Sequence, residues 1–189
     1  LKSLCKAHEI LMKDLVEKGK MRLEWARDHM KVIEKVKNEI KDSGYLEGKN
    51  ISMALHVEAK TGILGLSLRE AGANVKMASC NPLSTDDSVA EALREEYGLD
   101  VYAKRGESEE EYYQNLNSTL EHEPDIVIDD GGDLISLIHR EREDLIEGIY
   151  GGAEETTTGI VRLRAMEKDG ALRFPVMSVV ITNWNVPGS

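Results

Sequence analysis

The residues whose side chains could take part in catalysis lie at the end of short apolar segments or directly after them. His56 ends the segment 51–56, Cys80 to Thr85 follow the segment 74–79, and Asp129 to Asp133 close the segment 125–129. Histidine exchanges protons near neutral pH, and carboxylates act as general acids or bases. If these segments are parallel strands, their carboxyl ends share one edge of a sheet, and the polar groups form a site there.

The cluster Asp129-Asp130-Gly131-Gly132-Asp133 allows three interpretations. Aspartate and glycine suit turns and helix caps, so local structure alone explains it. A carboxylate held in a cleft by a glycine-containing backbone also acts as an acid/base or holds a sugar hydroxyl. Three aspartates further suggest a magnesium site for phosphoryl transfer, although no phosphate-binding glycine loop with a lysine accompanies them.

A second polar segment, Glu154 to Gly159, combines two carboxylates with three threonines. Acids and hydroxyls favour the first turn of a helix, and we predict a helix over 151–167. The same groups suit a polyhydroxylated ligand, which needs hydrogen-bond donors and acceptors alternately. The turn after the first strand is poor in glycine, and Gly62 and Gly65 form no GxGxxG pattern, so we do not expect the chain itself to hold a dinucleotide pyrophosphate.

The pattern of apolar residues predicts the helices and strands that position these groups. An amphipathic pattern from about Leu11 to Lys41 predicts one or two helices, with Gly19 as the candidate break. Beyond it, short apolar runs typical of buried parallel strands alternate with helical patterns. The alternation predicts an α/β fold: a doubly wound, mostly parallel sheet in a Rossmann-like or flavodoxin-like three-layer sandwich, preceded by the helical segment. We assign helices to 60–70, 86–97, 109–120 and 151–167, and strands to 51–56, 74–79, 100–103, 125–129 and 173–180.

One predicted helix has a recognisable start. Ser108 and Glu111 have the spacing of a capping box for the helix over 109–120. We assign Tyr112 and Tyr113, next to a run of glutamates, to a solvated face of this helix.

Composition limits the classes of function. The 189 residues include 41% hydrophobic and 31% charged residues, as in a soluble globular protein, and the length suits a single domain. The formal charge of −11 repels phosphate backbones and anionic membranes, so we expect neither nucleic acid nor a membrane as partner. Cys5 and Cys80 lie in no CxxC or Cys/His metal pattern, and no signal peptide or apolar span occurs. We therefore predict a cytoplasmic protein without a metal site.

Several separate motifs follow one another along the chain in a familiar order. They are the helix with Gly19, Trp25-Ala26 and Met30; Leu55-His56 with Thr61; Cys80 to Thr85; Tyr102; Gly106-Glu107; Glu111-Tyr112; Asp129 to Leu134; Glu154 to Gly159; and Phe174-Pro175-Val176. Together they resemble the N-terminal substrate-binding domain of the S-adenosylhomocysteine hydrolase family, in a microbial branch. The resemblance runs from about Asp14 to Val179, so 1–13 and 180–189 lie outside it.

The resemblance implies a role for each candidate residue. The family couples this domain to a separate Rossmann domain that holds NAD, and it reversibly cleaves S-adenosylhomocysteine, a nucleoside thioether, to adenosine and homocysteine through transient 3′-oxidation. By resemblance, His56 is an acid/base near the leaving thiolate and Asp130 a carboxylate near the sugar. Glu155 holds the ribose hydroxyls, and Thr61 belongs to the substrate-binding set. The residues expected to touch NAD are Thr156, Thr157 and Thr158.

The chain departs from the family pattern in two places. Many members have Thr and Glu at positions 58 and 60, where they contact adenine, whereas this chain has Glu58 and Lys60. By resemblance, that difference places the chain in a branch whose substrates include S-inosylhomocysteine. Beyond Val179 the sequence has 180–189 in place of the family's lysine and aspartate motif, so we expect the chain to lack the NAD domain and to be inactive alone. By resemblance the full-length enzyme is a homo-oligomer; the alternative is a non-catalytic nucleoside-binding or interaction protein derived from this domain.

Overall fold

A computed structural model describes residues 2–179 of the chain, with side chains described from residue 9 onward. In this part of the chain, six strands alternate with helices. The strands are β1 Asn50–Leu55, β2 Asn74–Ser79, β3 Asp100–Tyr102, β4 Ile126–Asp129, β5 Gly151–Glu154 and β6 Val176–Ser178. The helices are α1 Lys2–His29, α2 Lys31–Ser43, α3 Ala59–Glu70, α4 Asp87–Glu95, α5 Glu109–Leu120, α6 Asp133–Glu141 and α7 Thr157–Lys168, with a 3₁₀ helix over Glu143–Gly148.

The six strands form one parallel sheet in the order β3-β2-β1-β4-β5-β6. This order is that of a Rossmann-type doubly wound sheet rather than a flavodoxin-type one, and it confirms the predicted fold class. The chain winds outward in opposite directions from the pair β1 and β4. In such sheets the crevice for a ligand lies beyond the carboxyl ends of these two strands.

Helices cover both faces of the sheet because the strands are apolar on both sides. Ile51, Met53 and Leu55 of β1 pack into a core with α1, α3 and α4, whereas Ala54 joins the core formed with α5, α6 and α7. Alternate residues of a strand point to opposite faces, which gives the two cores their membership. Helices α1 and α2 pack outside α3 and α4. None of the helices described is long and apolar enough to cross a membrane.

The helical N-terminal segment breaks at Met30 rather than at Gly19. Gly19 lies inside α1, where the helix touches the backbone of α4. A Cβ atom at Gly19 would lie 1.8 Å from the carbonyl oxygen of Ser88. The glycine is therefore a close-packing position, and its helix-breaking tendency is overridden by the contact.

The region after Asp129 differs most from the prediction. Residues 151–154 form the strand β5 and not the first turn of a helix, and α7 starts only at Thr157. Gly151 and Gly152 give little strand propensity, but a Cβ atom at Gly152 would lie 3.2 Å from the Val127 carbonyl oxygen. The glycines thus allow close packing between neighbouring strands. Helix α6 was not predicted, and the last strand is shorter than predicted, while position 180 lies outside the described residues.

Candidate active site

His56 and Asp130 meet at the carboxyl edge of the sheet. His56 follows β1 and Asp130 follows β4, the two strands that flank the switch in winding direction. The His56 Nε2 atom lies 3.4 Å from Asp130 Oδ2. The histidine side chain is 48% exposed and the aspartate side chain 10% exposed, so the pair is open to solvent from the histidine side only. This geometry suits proton transfer to a ligand in the crevice.

The loop after β2 orients the histidine. Ser84 Oγ lies 2.6 Å from His56 Nδ1, and the same hydroxyl donates to the Asn81 carbonyl oxygen at 3.0 Å. Because the serine proton is given to Asn81, its oxygen accepts the Nδ1–H of His56. Nε2 is then the ring nitrogen on the side facing Asp130.

Cys80 completes the group from the same loop. Its Sγ atom donates to Asp130 Oδ2 at 3.4 Å. Burial and the negative charge of Asp130 raise the pKa of the Cys80 thiol well above its usual range. Cys80 is therefore a neutral donor to Asp130 and not a nucleophile. Neither Ser84 nor Cys80 was among the predicted site residues, although both lie in the polar segment noted after the second strand.

Asp129 has a structural role that its neighbour Asp130 does not share. Its side chain is fully buried and accepts from the backbone N–H groups of Asp130 and Ile135, at 2.9 and 2.8 Å. Burial raises the pKa of Asp129 to about 8, against the effect of these two donors. The contacts fix the turn from β4 into α6, and the next residue, Asp130, is thereby directed toward the crevice.

Glu154, at the end of β5, holds the adjacent loop in the same way. Its buried Oε1 accepts from the backbone N–H groups of Gly131 and Thr156 and from the Thr156 hydroxyl, at 2.7 to 2.8 Å. The carboxylate has space because residue 159 is a glycine: a Cβ atom added at this position would lie 2.2 Å from the Glu154 carboxylate. The loops after β4 and β5 are thus tied together behind Asp130.

Asp133 points away from the candidate site. It accepts from Arg162 Nη1 at 2.7 Å, and its other oxygen lies 3.1 Å from the Tyr112 hydroxyl. With Asp129 buried against backbone, the three aspartates do not converge on one point, and the magnesium phosphotransferase hypothesis has no geometric support.

Tyr112 corrects one assignment made from sequence. It is buried, not solvated: its ring packs in the core under the sheet edge and its hydroxyl lies 3.2 Å from the Cys80 carbonyl oxygen. Burial and the nearby Asp133 raise the pKa of Tyr112 above its usual range. Tyr112 supports the loop that carries Cys80.

Three predicted substrate-binding residues stand at the start of α3. Glu58 is the N-cap, and it forms a capping box with Thr61: the Glu58 carboxylate accepts from the N–H groups of Lys60 and Thr61, and the Thr61 hydroxyl accepts from Glu58 N–H. Thr61 also donates to the His56 carbonyl oxygen, which fixes the backbone of the histidine. Lys60 is exposed in the first turn of the helix.

The remaining predicted residues lie beyond β5. Glu155 is exposed and its backbone N–H donates to the Asp129 carbonyl oxygen. Burial and the negative charge of Asp130 raise the pKa of Glu155. Thr156 caps α7 by accepting from Gly159 N–H, while Thr157 and Thr158 are exposed in the first turn.

A comparison with known families decides the relationship of this chain. The family model described as S-adenosyl-L-homocysteine hydrolase matches residues 8–145. The chain belongs to the S-adenosyl-L-homocysteine hydrolase family. The matched range includes His56, Cys80 and Asp130, and it ends before Glu155.

Curated relatives from this family extend the similarity over most of the chain. The adenosylhomocysteinase of Thermoplasma volcanium is 62% identical over 162 residues, which are 86% of this chain and 40% of the relative. The S-inosyl-L-homocysteine hydrolase of Methanocaldococcus jannaschii is 52% identical over 172 residues, 91% of this chain and 41% of the relative. The chain thus spans about 40% of the length of these curated hydrolases.

Proposed function

We propose that this chain forms the substrate-binding and acid/base part of an enzyme that reversibly cleaves S-adenosylhomocysteine or S-inosylhomocysteine to a nucleoside and homocysteine. The observation that carries the proposal is the placement of His56 Nε2 3.4 Å from Asp130 Oδ2 at the switch point of a Rossmann-type sheet. Family membership supports the reaction class, and the names of the relatives support both purines.

In this proposal His56 and Asp130 move the protons that the reaction needs. His56, held through Nδ1 by Ser84, presents Nε2 to the leaving sulfur and gives it a proton. Asp130 accepts a proton at the sugar, and its carboxylate also keeps the histidine aligned. Cys80 donates to Asp130 and so contributes to the orientation of that carboxylate.

Glu155 is proposed to bind the ribose. Its carboxylate is exposed and precedes the threonine hydroxyls in the sequence, and the negative charge of Asp130 contributes to its raised pKa. Carboxylates accept hydrogen bonds from paired sugar hydroxyls. Thr61 and Glu58 contribute through the start of α3, where the capping box fixes the backbone next to His56. Lys60 is proposed to contact the purine.

One part of this chain is unsuited to NAD, and another part is suited to it. The N-terminus of the helix after β1, which receives the pyrophosphate in dinucleotide-binding sheets, is here capped by the Glu58 carboxylate. Negative charge at that position opposes a pyrophosphate, so this chain is not expected to hold the cofactor alone. The exposed hydroxyls of Thr157 and Thr158, with Thr156 behind them, suit hydrogen bonds to a nucleotide presented by a second domain. In the complete enzyme, NAD would supply the reversible oxidation of the substrate's 3′-hydroxyl.

Two measurements test the proposal. The first is ligand-detected NMR of the 189-residue chain with adenosine and with inosine, in which we expect weak binding of at least one nucleoside. The second joins residues 1–179 to the C-terminal remainder of the Thermoplasma volcanium adenosylhomocysteinase and measures homocysteine release from both thioethers. The parent enzyme and the NAD content of the chimaera control for assembly. An NAD-loaded chimaera without turnover, together with no nucleoside contact at millimolar concentration, would contradict the proposal.

A further inference from the structure

The group His56, Cys80 and Asp130 has a second chemical property besides acid/base geometry. One ligand atom from each residue, a nitrogen, a sulfur and a carboxylate oxygen, lies within 4.8 Å of the other two. The three residues come from the loops after β1, β2 and β4, which the parallel sheet brings to one edge. The positions 56, 80 and 130 form no recognisable spacing, and the sequence therefore predicted no metal site.

Two of the three separations between the ligand atoms match those of a tetrahedral zinc centre. Zinc–nitrogen and zinc–oxygen bonds of about 2.0 Å and zinc–sulfur bonds of about 2.3 Å give N···O edges of about 3.3 Å and S···O edges of about 3.5 Å at tetrahedral angles. Here His56 Nε2 and Cys80 Sγ each lie 3.4 Å from Asp130 Oδ2. Two edges of the tetrahedron are thus preformed.

The hydrogen bonds also orient the three ligand atoms. Ser84 accepts the Nδ1–H of His56, so Nε2 is the ring nitrogen on the side of the Asp130 carboxylate. Cys80 Sγ approaches the same carboxylate oxygen. A cation complements this arrangement, and the hydrogen bond to Nδ1 is the orienting contact that metal-bound histidines have.

The ligand types select the class of metal. Imidazole and thiolate favour zinc, cobalt and related ions over magnesium or calcium, which prefer oxygen ligands. The histidine side chain is 48% exposed, so an ion can enter and keep its fourth position for water or a ligand.

We propose that His56, Cys80 and Asp130 form a three-ligand site for a divalent ion of the zinc class, and that an occupied site blocks the candidate active site. On binding, Cys80 gives its thiol proton to solvent, and the sulfur, Nε2 and a carboxylate oxygen become ligands. Binding of the ion depends on this chain alone. The inhibitory effect rests on the proposed function, because the ion takes the two groups assigned to proton transfer.

Cobalt(II) binding to the reduced 189-residue chain tests the site directly. We expect the thiolate-to-cobalt charge-transfer band and the intense visible bands of tetrahedral cobalt, both lost when zinc is added. Cys80→Ser should abolish the charge-transfer band, whereas Cys5→Ser, which removes the other thiol, should keep it. His56→Gln and Asp130→Asn should weaken binding by about 100-fold or more, since loss of an outer partner alone costs about 10- to 100-fold.

The outcomes separate this proposal from the proposed function. Absence of the bands in the folded native chain, or an unchanged charge-transfer band in Cys80→Ser with native circular dichroism, would overturn the metal site. Competition between adenosine or inosine and cobalt would support its overlap with the nucleoside site. Metal binding without any nucleoside binding would support the metal site and count against the proposed function.

Discussion

Asp129 and Glu154 stand opposite each other in the register of β4 and β5, and both side chains are fully buried. Asp129 accepts from the backbone N–H groups of Asp130 and of Ile135 in α6, and Glu154 accepts from those of Gly131 and Thr156 in the loops after β4 and β5. Two buried acids therefore support the exposed edge on which Asp130 and Glu155 present their carboxylates. The arrangement has consequences for stability that do not depend on any ligand.

The buried Asp129 predicts a stability that falls as the pH rises. Its pKa in the folded chain, about 8, lies above the ordinary value of an aspartate in an unfolded chain, so folding retains a proton that the unfolded chain loses. The contribution of this proton to the free energy of unfolding is fully present below the pKa of the unfolded chain and is lost as the pH rises through about 8. Denaturant unfolding between pH 5 and 8 should show a decline of up to about 1.4 kcal/mol per pH unit for this proton.

The variant Asp129→Asn should have a flatter pH profile, although one of its two N–H contacts is lost and its stability at pH 5 is lower. Glu95→Gln, which removes an exposed carboxylate, controls for the change in net charge and should keep the slope. Equal slopes for Asp129→Asn and the native chain would contradict this assignment.

Gly19→Ala should destabilise the chain despite the higher helix propensity of alanine. The added methyl group meets the Ser88 carbonyl oxygen, so α1 has to move away from α4. We expect a loss of about 2 kcal/mol or more, set against a propensity gain of about 1 kcal/mol. Glu24→Ala at an exposed position of α1 should change the free energy of unfolding by less than about 0.5 kcal/mol. A stabilised Gly19→Ala chain would show that the two helices are not in close contact.

Lys60 is predicted to bias the site toward hypoxanthine. A lysine donates hydrogen bonds and so suits the 6-oxo group of hypoxanthine better than the 6-amino group of adenine. Lys60→Glu should shift the ratio of adenosine to inosine affinity toward adenosine by about tenfold, the effect of one charge-assisted hydrogen bond. Calorimetry with both nucleosides measures this ratio, and Lys168→Glu, at the far end of α7, should leave it unchanged. An unchanged ratio in Lys60→Glu would remove Lys60 from the purine site.

The fold was predictable where local signals agree with tertiary packing. The strands β1 to β4 and the helix start at Ser108 follow from apolar runs and capping chemistry, and the structure confirms them. β5 was not predictable, because Gly151 and Gly152 lack strand propensity and gain their conformation from the strands on either side. The predicted break at Gly19 was wrong because α1 packs against the backbone of α4 at this position, and the contact requires a residue without a side chain.

Within the candidate site, only the proximity of His56 and Asp130 was predictable from the sequence. His56 and Asp130 follow recognisable strands, so their convergence could be expected from the parallel sheet. Cys80 and Ser84 carried no separate signal, because their partners lie 50 and 28 residues away. The local pattern does not distinguish the buried Asp129 from Asp130 next to it, since the difference arises from the turn into α6, and only the family resemblance singled out Asp130.

The replacement Asp130→Asn in the chimaeric enzyme tests whether the Asp130 carboxylate takes part in the reaction. Asparagine keeps the size of the side chain and removes the ionisable carboxylate next to His56, while the turn is held by Asp129 and Glu154 and should persist. We predict a loss of turnover of about 10²-fold or more, with the thermal midpoint and NAD content unchanged, and no loss in the surface control Asp100→Asn. Near-normal turnover in Asp130→Asn, with the thermal midpoint preserved, would contradict a catalytic role for Asp130.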